Sequence, residues 1–369
     1  MDIVETSQPL SGIRVLDLTR VLAGPLCTMM LADLGADVIK VERRGTGDDT
    51  RGWGPPFDRR GESAYFLSVN RNKRSLEADI DDPSDRRLIH ELIGAADVVV
   101  DNFLPGTLDR RGMAPALLLP RHDRLIWCTI QGYADDSRRP GYDFAVQAES
   151  GWMSVTGEPG GAPMKTAVAL VDVLTGKDAA ITILAALAGG RALPPAARHL
   201  VVTLFGSAVA GLVNVAQNAL VSGAEPRRWG NAHANLVPYQ VFEASDRPIV
   251  IAVGNDGQWR ALCDVLAEGA LLHAPWATNA GRVSDREACV SAIAIQVRRR
   301  SATDWMSALK EAGVPAGEIR TVPDALRDVG ASPLTGVPSS VGGMIRRPPP
   351  RRGEHTTAIR ADGWGPRPQ

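Results

Sequence analysis

Asp172 is the residue of this 369-residue chain with the most chemical consequence. It is a single carboxylate inside Ala167-Val168-Ala169-Leu170-Val171-Asp172-Val173-Leu174, followed by Thr175-Gly176 and a run from Lys177 to Leu187 that reads as helix. Burying an ionised carboxylate without partners is expensive, so such a residue is neutralised, used as a cap, or functional. A desolvated carboxylate is a competent nucleophile. The competing reading is a helix N-cap through its side-chain oxygen. A capping box would add Glu or Gln three positions on, where Thr175 stands, so the cap has no second signal. On these residues alone both readings stay open.

Other candidates are weaker. After the first apolar run, Thr19-Arg20-Val21-Leu22-Ala23-Gly24-Pro25 lacks the Gly-x-Gly-x-x-Gly pattern that lets a backbone approach a pyrophosphate, which argues against a nicotinamide dehydrogenase. Arg43 and Arg44, just past the second apolar run, stand where a Rossmann-type site reads a ribose and its phosphates, and guanidinium matches phosphate bidentately. Two solvated loop arginines would look the same. His355 lies in Gly353-Glu354-His355-Thr356 without a Ser or Cys elbow, so no hydrolytic triad is expected. His90, His122, His199, His233 and His273 lack metal-ligand spacing. Asn102, Phe103, Gln131 and Tyr133 end apolar runs and are placed to line a cleft, or to serve structure alone.

The elements that must position these residues alternate. Ile13 to Leu18 and Ala36 to Val41 read as strands around a helix from Pro25 to Leu34; a helix beginning at Ser84 leads to a strand at Val98 to Val100, and another strand runs from Leu125 to Ile130. This pattern predicts an α/β fold with a Rossmann-like, doubly wound parallel sheet, whose ligands sit at the carboxyl ends of the strands. Val201 to Val221 reads as one apolar helix. Beyond it, a hairpin at Tyr239 to Phe242 and Ile249 to Val253, with helices at Gly257 to Leu266 and Glu287 to Val297, predicts a smaller α+β domain over about 226–315. Arg346 to Arg352 reads as an extended Pro-rich linker with a poorly ordered tail after it. With 41 basic against 42 acidic residues, net charge −1, the chain has no nucleic-acid or membrane-surface field. Four scattered cysteines suit a reducing cytoplasm. No apolar leader or stretch of membrane-spanning length is seen, so a cytoplasmic, soluble protein is expected.

Together these segments resemble the family III CoA transferases of the CaiB/BaiF type, which include formyl-CoA:oxalate CoA transferase and, as a divergent branch, α-methylacyl-CoA racemase. The match runs in order through Leu10-Ser11-Gly12-Ile13-Arg14-Val15-Leu16-Asp17-Leu18-Thr19, Ala23-Gly24-Pro25, Gly35-Ala36-Asp37-Val38-Ile39-Lys40-Val41-Glu42 and Asn72-Lys73-Arg74-Ser75. It continues through Asn102-Phe103, Pro105-Gly106, Gly132-Tyr133, Pro140-Gly141-Tyr142-Asp143 and Thr156-Gly157-Glu158-Pro159, and closes with Ala312-Gly313-Val314-Pro315 and Gly353-Glu354-His355-Thr356.

The resemblance implies that Asp172 is the catalytic carboxylate, forming aspartyl anhydride and aspartyl-CoA thioester intermediates between an acyl-CoA donor and a carboxylic acid acceptor. Backbone N–H groups at a helix start are expected to stabilise the oxyanions. By the same resemblance CoA is contacted by Ala23, Arg43, Asn102, Phe103, Arg110 and Tyr133, and the acyl pocket is formed by Leu22, Trp53, Gln131 and Tyr142. It implies no metal or redox cofactor, and an interlocked homodimer. Its domains would be a CoA-binding unit over 1–200 completed by 325–369, a helix and linker over 201–225, the small domain over 226–315 and a return linker over 316–324. The oxalate enzyme has His and Gln where this chain has Arg20 and Leu22, and Lys where it has Gln131 and Asp81. Its glycine-rich loop has no counterpart here. A bulkier or less polar acyl group is therefore expected at Leu22. The chain also departs from the family pattern after Gly190 and after Asp328. The racemase branch pairs Asp with a His inside Gly-His-Asp, where this chain has Gly141-Tyr142-Asp143; a tyrosine titrates too high for that exchange. The remaining alternative is a non-catalytic CoA-binding homologue.

Overall fold

In a computed structural model, described here for residues 8–134, 139–189, 193–267, 269–272, 274–329 and 334–367, the chain forms two compact units. Gly190 to Ala192, His273 and residues 330–333 lie outside the described residues.

The larger unit comprises Met1–Met153, Lys165–Glu225 and Ala331–Gln369. Its sheet holds β1 (Arg14–Leu18), β2 (Asp37–Glu42), β3 (Lys73–Glu77), β4 (Val98–Asp101), β5 (Ile126–Gln131) and β6 (His199–Thr203), all parallel, in the order β3-β2-β1-β4-β5-β6. That order reverses direction between β1 and β4, as in doubly wound dinucleotide folds, and opens a crevice at the carboxyl ends there. Alternate strand residues feed opposite faces. Val15, Val38, Val98, Val100 and Cys128 pack under the Ala23–Asp33 and Leu170–Ala188 helices, while Leu16, Ile39, Leu76, Val99 and Trp127 pack under the Pro83–Gly94 helix and the chain end. Both faces are thus buried, as a parallel sheet requires.

Two elements differ from the sequence reading. Val201 to Val221 is not one helix: Val201 and Val202 pair with Thr129 and Ile130 as part of β6, because β-branched residues suit a strand. Thr203 then caps the Leu204–Gly211 helix through the Gly206 N–H (3.1 Å), and a second helix follows at Val213–Ser222, bent from the first by 72°. No single described helix is long and apolar enough to cross a membrane. The stretch after Arg352, expected to be poorly ordered, is also folded over its described residues. His355 and Thr356 hydrogen-bond to β3, the Thr356–Asp362 helix buries Ile359, and Trp364 Nε1 donates to Leu92 O (2.9 Å). The preceding Pro-rich stretch is pinned as well, with the N–H groups of Arg346 and Arg347 both donating to Asn72 Oδ1 (2.7 and 2.8 Å).

The smaller unit, Ser154–Met164 with Pro226–Gly330, pairs β7 (Tyr239–Glu243), β8 (Pro248–Ala252) and β9 (Ala316–Glu318) antiparallel. Its core gathers Trp259, Trp305, Leu262, Cys289 and Ile293 from the flanking helices. Here the hairpin and both helices read from the sequence are present; β9, at three residues, carried no periodic signal.

Candidate active site

A cavity of about 320 Å³ opens beyond the carboxyl ends of the strands. Asp172 lines it, three residues into the Leu170–Ala188 helix. That helix can approach the Ala23–Asp33 helix because position 176 is glycine: a Cβ there would lie 2.6 Å from Ala23 O. Gly132, just after β5, and Gly141 likewise touch through their backbones, where a Cβ on Gly141 would overlap the Gly132 Cα. This contact draws Tyr142 and the Asp143–Glu149 helix onto the end of β5, beside Asp172.

The cap reading of Asp172 does not hold. Ala169 is the N-cap, and among the described residues the Asp172 carboxylate accepts no hydrogen bond. The helix start is instead served by Asp143, whose Oδ1 accepts from Val171 N (2.8 Å) and Asp172 N (3.3 Å), while Leu170 N donates to Val168 O (2.8 Å). The first N–H groups of this helix are therefore occupied, and an oxyanion must find donors elsewhere. The Ala23–Asp33 helix also begins at the cavity, with Leu22 as N-cap and no side-chain cap.

Burial, and secondarily the neighbouring Asp143, push the Asp172 carboxyl up to about 7. Burial and the charge of Asp172 push the Tyr65 phenol up to about 12. If Asp172 must be ionised to react, initial rates of acyl transfer should rise with pH to a plateau above about 7; a profile flat between about pH 5 and pH 9 would contradict this assignment.

Of the expected site residues, Leu22, Ala23, Asn102, Phe103, Gln131, Tyr133 and Tyr142 share the cavity with Asp172. Asn102 also fixes its wall, since Oδ1 accepts from Arg20 N (3.0 Å) and Nδ2 donates to Arg20 O (2.8 Å). The next residue, Val21, holds φ +73°, costly for a β-branched side chain and tolerable where the surroundings enforce it. Trp53 stands outside the cavity lining and packs edge-on against Tyr65, ring centroids 5.0 Å apart. Arg43 lines a second cavity of about 490 Å³ beyond β1, β2 and β3, which Phe103 also borders. Arg110 lines neither cavity. It is exposed on a 3₁₀ turn, Asp109–Arg111, whose rotation per residue turns Arg111 inward instead, and Arg111 forks onto Asp81 (2.8 and 2.9 Å).

Sequence reasoning missed Arg139, which lines the Asp172 cavity, stacks 3.7 Å over the Tyr133 ring and pairs with Glu149 at 2.7 Å. It also missed the floor of the second cavity. There Lys40 Nζ meets Asp48 Oδ2 (2.8 Å), and away from the lining, under the Ala23–Asp33 helix, Lys73 Nζ meets Asp17 Oδ2 (3.0 Å) and donates to Pro25 O (2.9 Å), all four side chains buried. The signal for both was present only as charged residues inside segments read as loop or strand. Among the described residues no group of three or more His, Cys, Asp or Glu is gathered to hold a metal ion.

The model of CoA-transferase family III matches residues 10–356. The chain belongs to this family. It is a transferase, similar to the succinate–glutarate CoA-transferase of Agrobacterium fabrum, with 38% identity over 98% of this chain and 97% of that protein. The succinyl-CoA:glutarate CoA-transferase of Mus musculus is also 38% identical, over 96% of this chain and 86% of its own. The acetyl-CoA:oxalate CoA-transferase of Acetobacter aceti is 36% identical over 86% and 82%. Among solved structures, a CAIB/BAIF family protein from Brucella suis superposes with a TM-score of 0.82 at 39% identity, covering 96% of this chain and 99% of that one.

Proposed function

We propose that this transferase moves CoA between short dicarboxylic acids, of the succinyl and glutaryl kind, through covalent intermediates on Asp172. The observation that carries the reading is the bare carboxylate of Asp172 at the wall of a cavity bordering a second cavity that holds Arg43. Phe103 lines both, so one ligand can place a nucleotide in the larger cavity and a thioester beside Asp172.

In the first step an Asp172 oxygen attacks the thioester carbonyl and expels CoA thiolate, leaving an aspartyl-acyl anhydride. The thiolate attacks the aspartyl carbonyl and expels the donor acid, leaving an aspartyl-CoA thioester. An acceptor carboxylate then attacks that thioester, giving a second anhydride and free thiolate. Attack by the thiolate on the acceptor's own acyl carbon yields the new acyl-CoA and returns Asp172. Splitting one exchange into such steps is the gain of nucleophilic catalysis. The start of the Ala23–Asp33 helix supplies the oxyanion donors. Arg20 and Arg139 give the cavity two guanidinium groups suited to a second carboxylate on the acid. We assign Ala23, Arg43, Asn102, Phe103 and Tyr133 to CoA and Leu22, Gln131 and Tyr142 to the acyl group, with Trp53 acting through Tyr65.

The working form in this reading is an interlocked homodimer. The Val213–Ser222 helix supports it, since none of its residues is buried and Val213, Leu220 and Val221 are 70%, 78% and 79% exposed. Mass spectrometry of acyl-CoA products from a panel of donors and acceptors tests the function. Transfer from succinyl-CoA to glutarate well above transfer to monocarboxylates of equal length is expected. Absence of any transfer, with deuterium exchange at the α-carbon of a 2-methylacyl-CoA, would replace the reading with racemisation.

A further inference from the structure

Asp143 follows Tyr142 in the segment that resembles the racemase triplet, yet the steps above give it no part. Its surroundings are specific. Oδ1 accepts the N–H groups of Val171 and Asp172 at 2.8 and 3.3 Å, and Oδ2 accepts Gln147 Nε2 at 2.6 Å. Gln147 is itself buried, 1% exposed, and its Oε1 accepts from the backbone N–H (2.9 Å) and hydroxyl (3.3 Å) of Thr166, four residues before the Leu170–Ala188 helix. A chain of hydrogen bonds thus runs from the approach to that helix, through Gln147 and Asp143, back to the helix's own first turn. The helix has no side-chain cap of its own, so its start depends on a residue from a different helix.

We propose that Asp143 is a positioning residue for the transfer chemistry: it anchors the backbone that carries Asp172 and holds a negative charge beside the nucleophile. Two carboxylates meet at one helix start and divide its resources. The N–H groups there favour an anion, and they are given to Asp143. Asp172 receives none of them, so its carboxylate stays undamped by hydrogen bonding and close to a like charge. Such pairs, with environments that differ, are the usual way a site holds two carboxyl groups in different roles. The other titratable and charged groups facing Asp172 are Tyr65, Arg20, Asp49, Arg139, Tyr133 and Tyr142. The raised carboxyl of Asp172, attributed to burial first and Asp143 second, accords with this arrangement.

The inference rests on the covalent role of Asp172 proposed above, and its test separates the two. Asp143→Asn keeps an oxygen for the two backbone N–H groups but removes the charge. Its new amide would face the Gln147 amide, so Asp143→Asn/Gln147→Glu restores an acceptor there. Asp143→Ala removes both functions. Wild type and variants would be compared for thermal melting, for pH dependence of the first acyl transfer from succinyl-CoA, and for hydroxylamine capture at Asp172. With the double variant, the acidic limb should move down by about one pH unit because the charge lies farther from Asp172. Asp143→Ala should lower kcat about 10²-fold with KM for succinyl-CoA nearly unchanged, because the nucleophile is misplaced while the ligand contacts remain. A limb that stays in place in both charge-removing variants, with hydroxylamine still capturing Asp172, overturns the inference alone. Failure of wild type to be captured at Asp172 overturns the inference together with the covalent reading.

Discussion

Asp172→Asn should abolish CoA transfer, by on the order of 10³-fold or more in kcat, while leaving a folded protein that melts higher than wild type near pH 8. The loss follows from chemistry, since an amide cannot form the anhydride. The gain in stability follows from proton linkage. Folding raises the Asp172 carboxyl from 3.8 to about 7, so between those values the folded chain holds a proton that the unfolded chain has released. Wild-type stability contributed by this group therefore falls as pH rises from about 4 to about 7, and the whole penalty, roughly 2–4 kcal/mol, is present above that. Asparagine carries no such penalty. The melting temperatures should differ by on the order of 5 °C at pH 8 and converge near pH 4. An inactive variant that melts lower than wild type at pH 8 would show that Asp172 is a structural anchor instead.

The second large effect concerns the buried ion pair between β1 and β3, under the Ala23–Asp33 helix. Lys73 is fully buried and donates to Asp17 Oδ2, Asn70 Oδ1 and Pro25 O at 3.0, 2.9 and 2.9 Å, while Asp17 also accepts from Thr19 and Thr28. Burial pushes the Lys73 ammonium down to about 8 against the pull of Asp17. Lys73→Met leaves the Asp17 charge buried opposite methylene groups, and the expected destabilisation is about 3–5 kcal/mol, among the larger values for one side chain. Asp17→Leu combined with Lys73→Met removes both charges, so chemical denaturation should find the double variant more stable than Lys73→Met alone. A single variant within about 1 kcal/mol of wild type would mean that the pair contributes nothing to holding β1 and β3 together.

The same pair explains what the sequence hid. β1, β2, β4 and β5 were legible because buried parallel strands read as runs of Val, Ile and Leu. β3 was not, since Lys73-Arg74-Ser75-Leu76-Glu77 buries the Lys73 ammonium and the Ser75 hydroxyl and satisfies them with Asp17 of β1, Glu42 of β2 and the Gly353 N–H. β6 was absorbed into an apolar helix because Val201-Val202 continues smoothly into Leu204-Phe205, and only pairing with β5 separates them. At the site, Asp172 was legible as a lone charge in an apolar run. Its cap was not, because Asp143 reaches it from 29 residues away, across the backbone contact of Gly132 with Gly141. Arg110 and Arg111 could not be told apart without the turn that aims one inward.

The most direct measurement is peptide mass mapping after the wild-type enzyme is held with succinyl-CoA and then quenched with hydroxylamine. A hydroxamate on Asp172 is expected, dependent on acyl-CoA and absent when hydroxylamine is added alone. Steady turnover with no adduct at Asp172, or with the adduct on a different carboxylate, would contradict it.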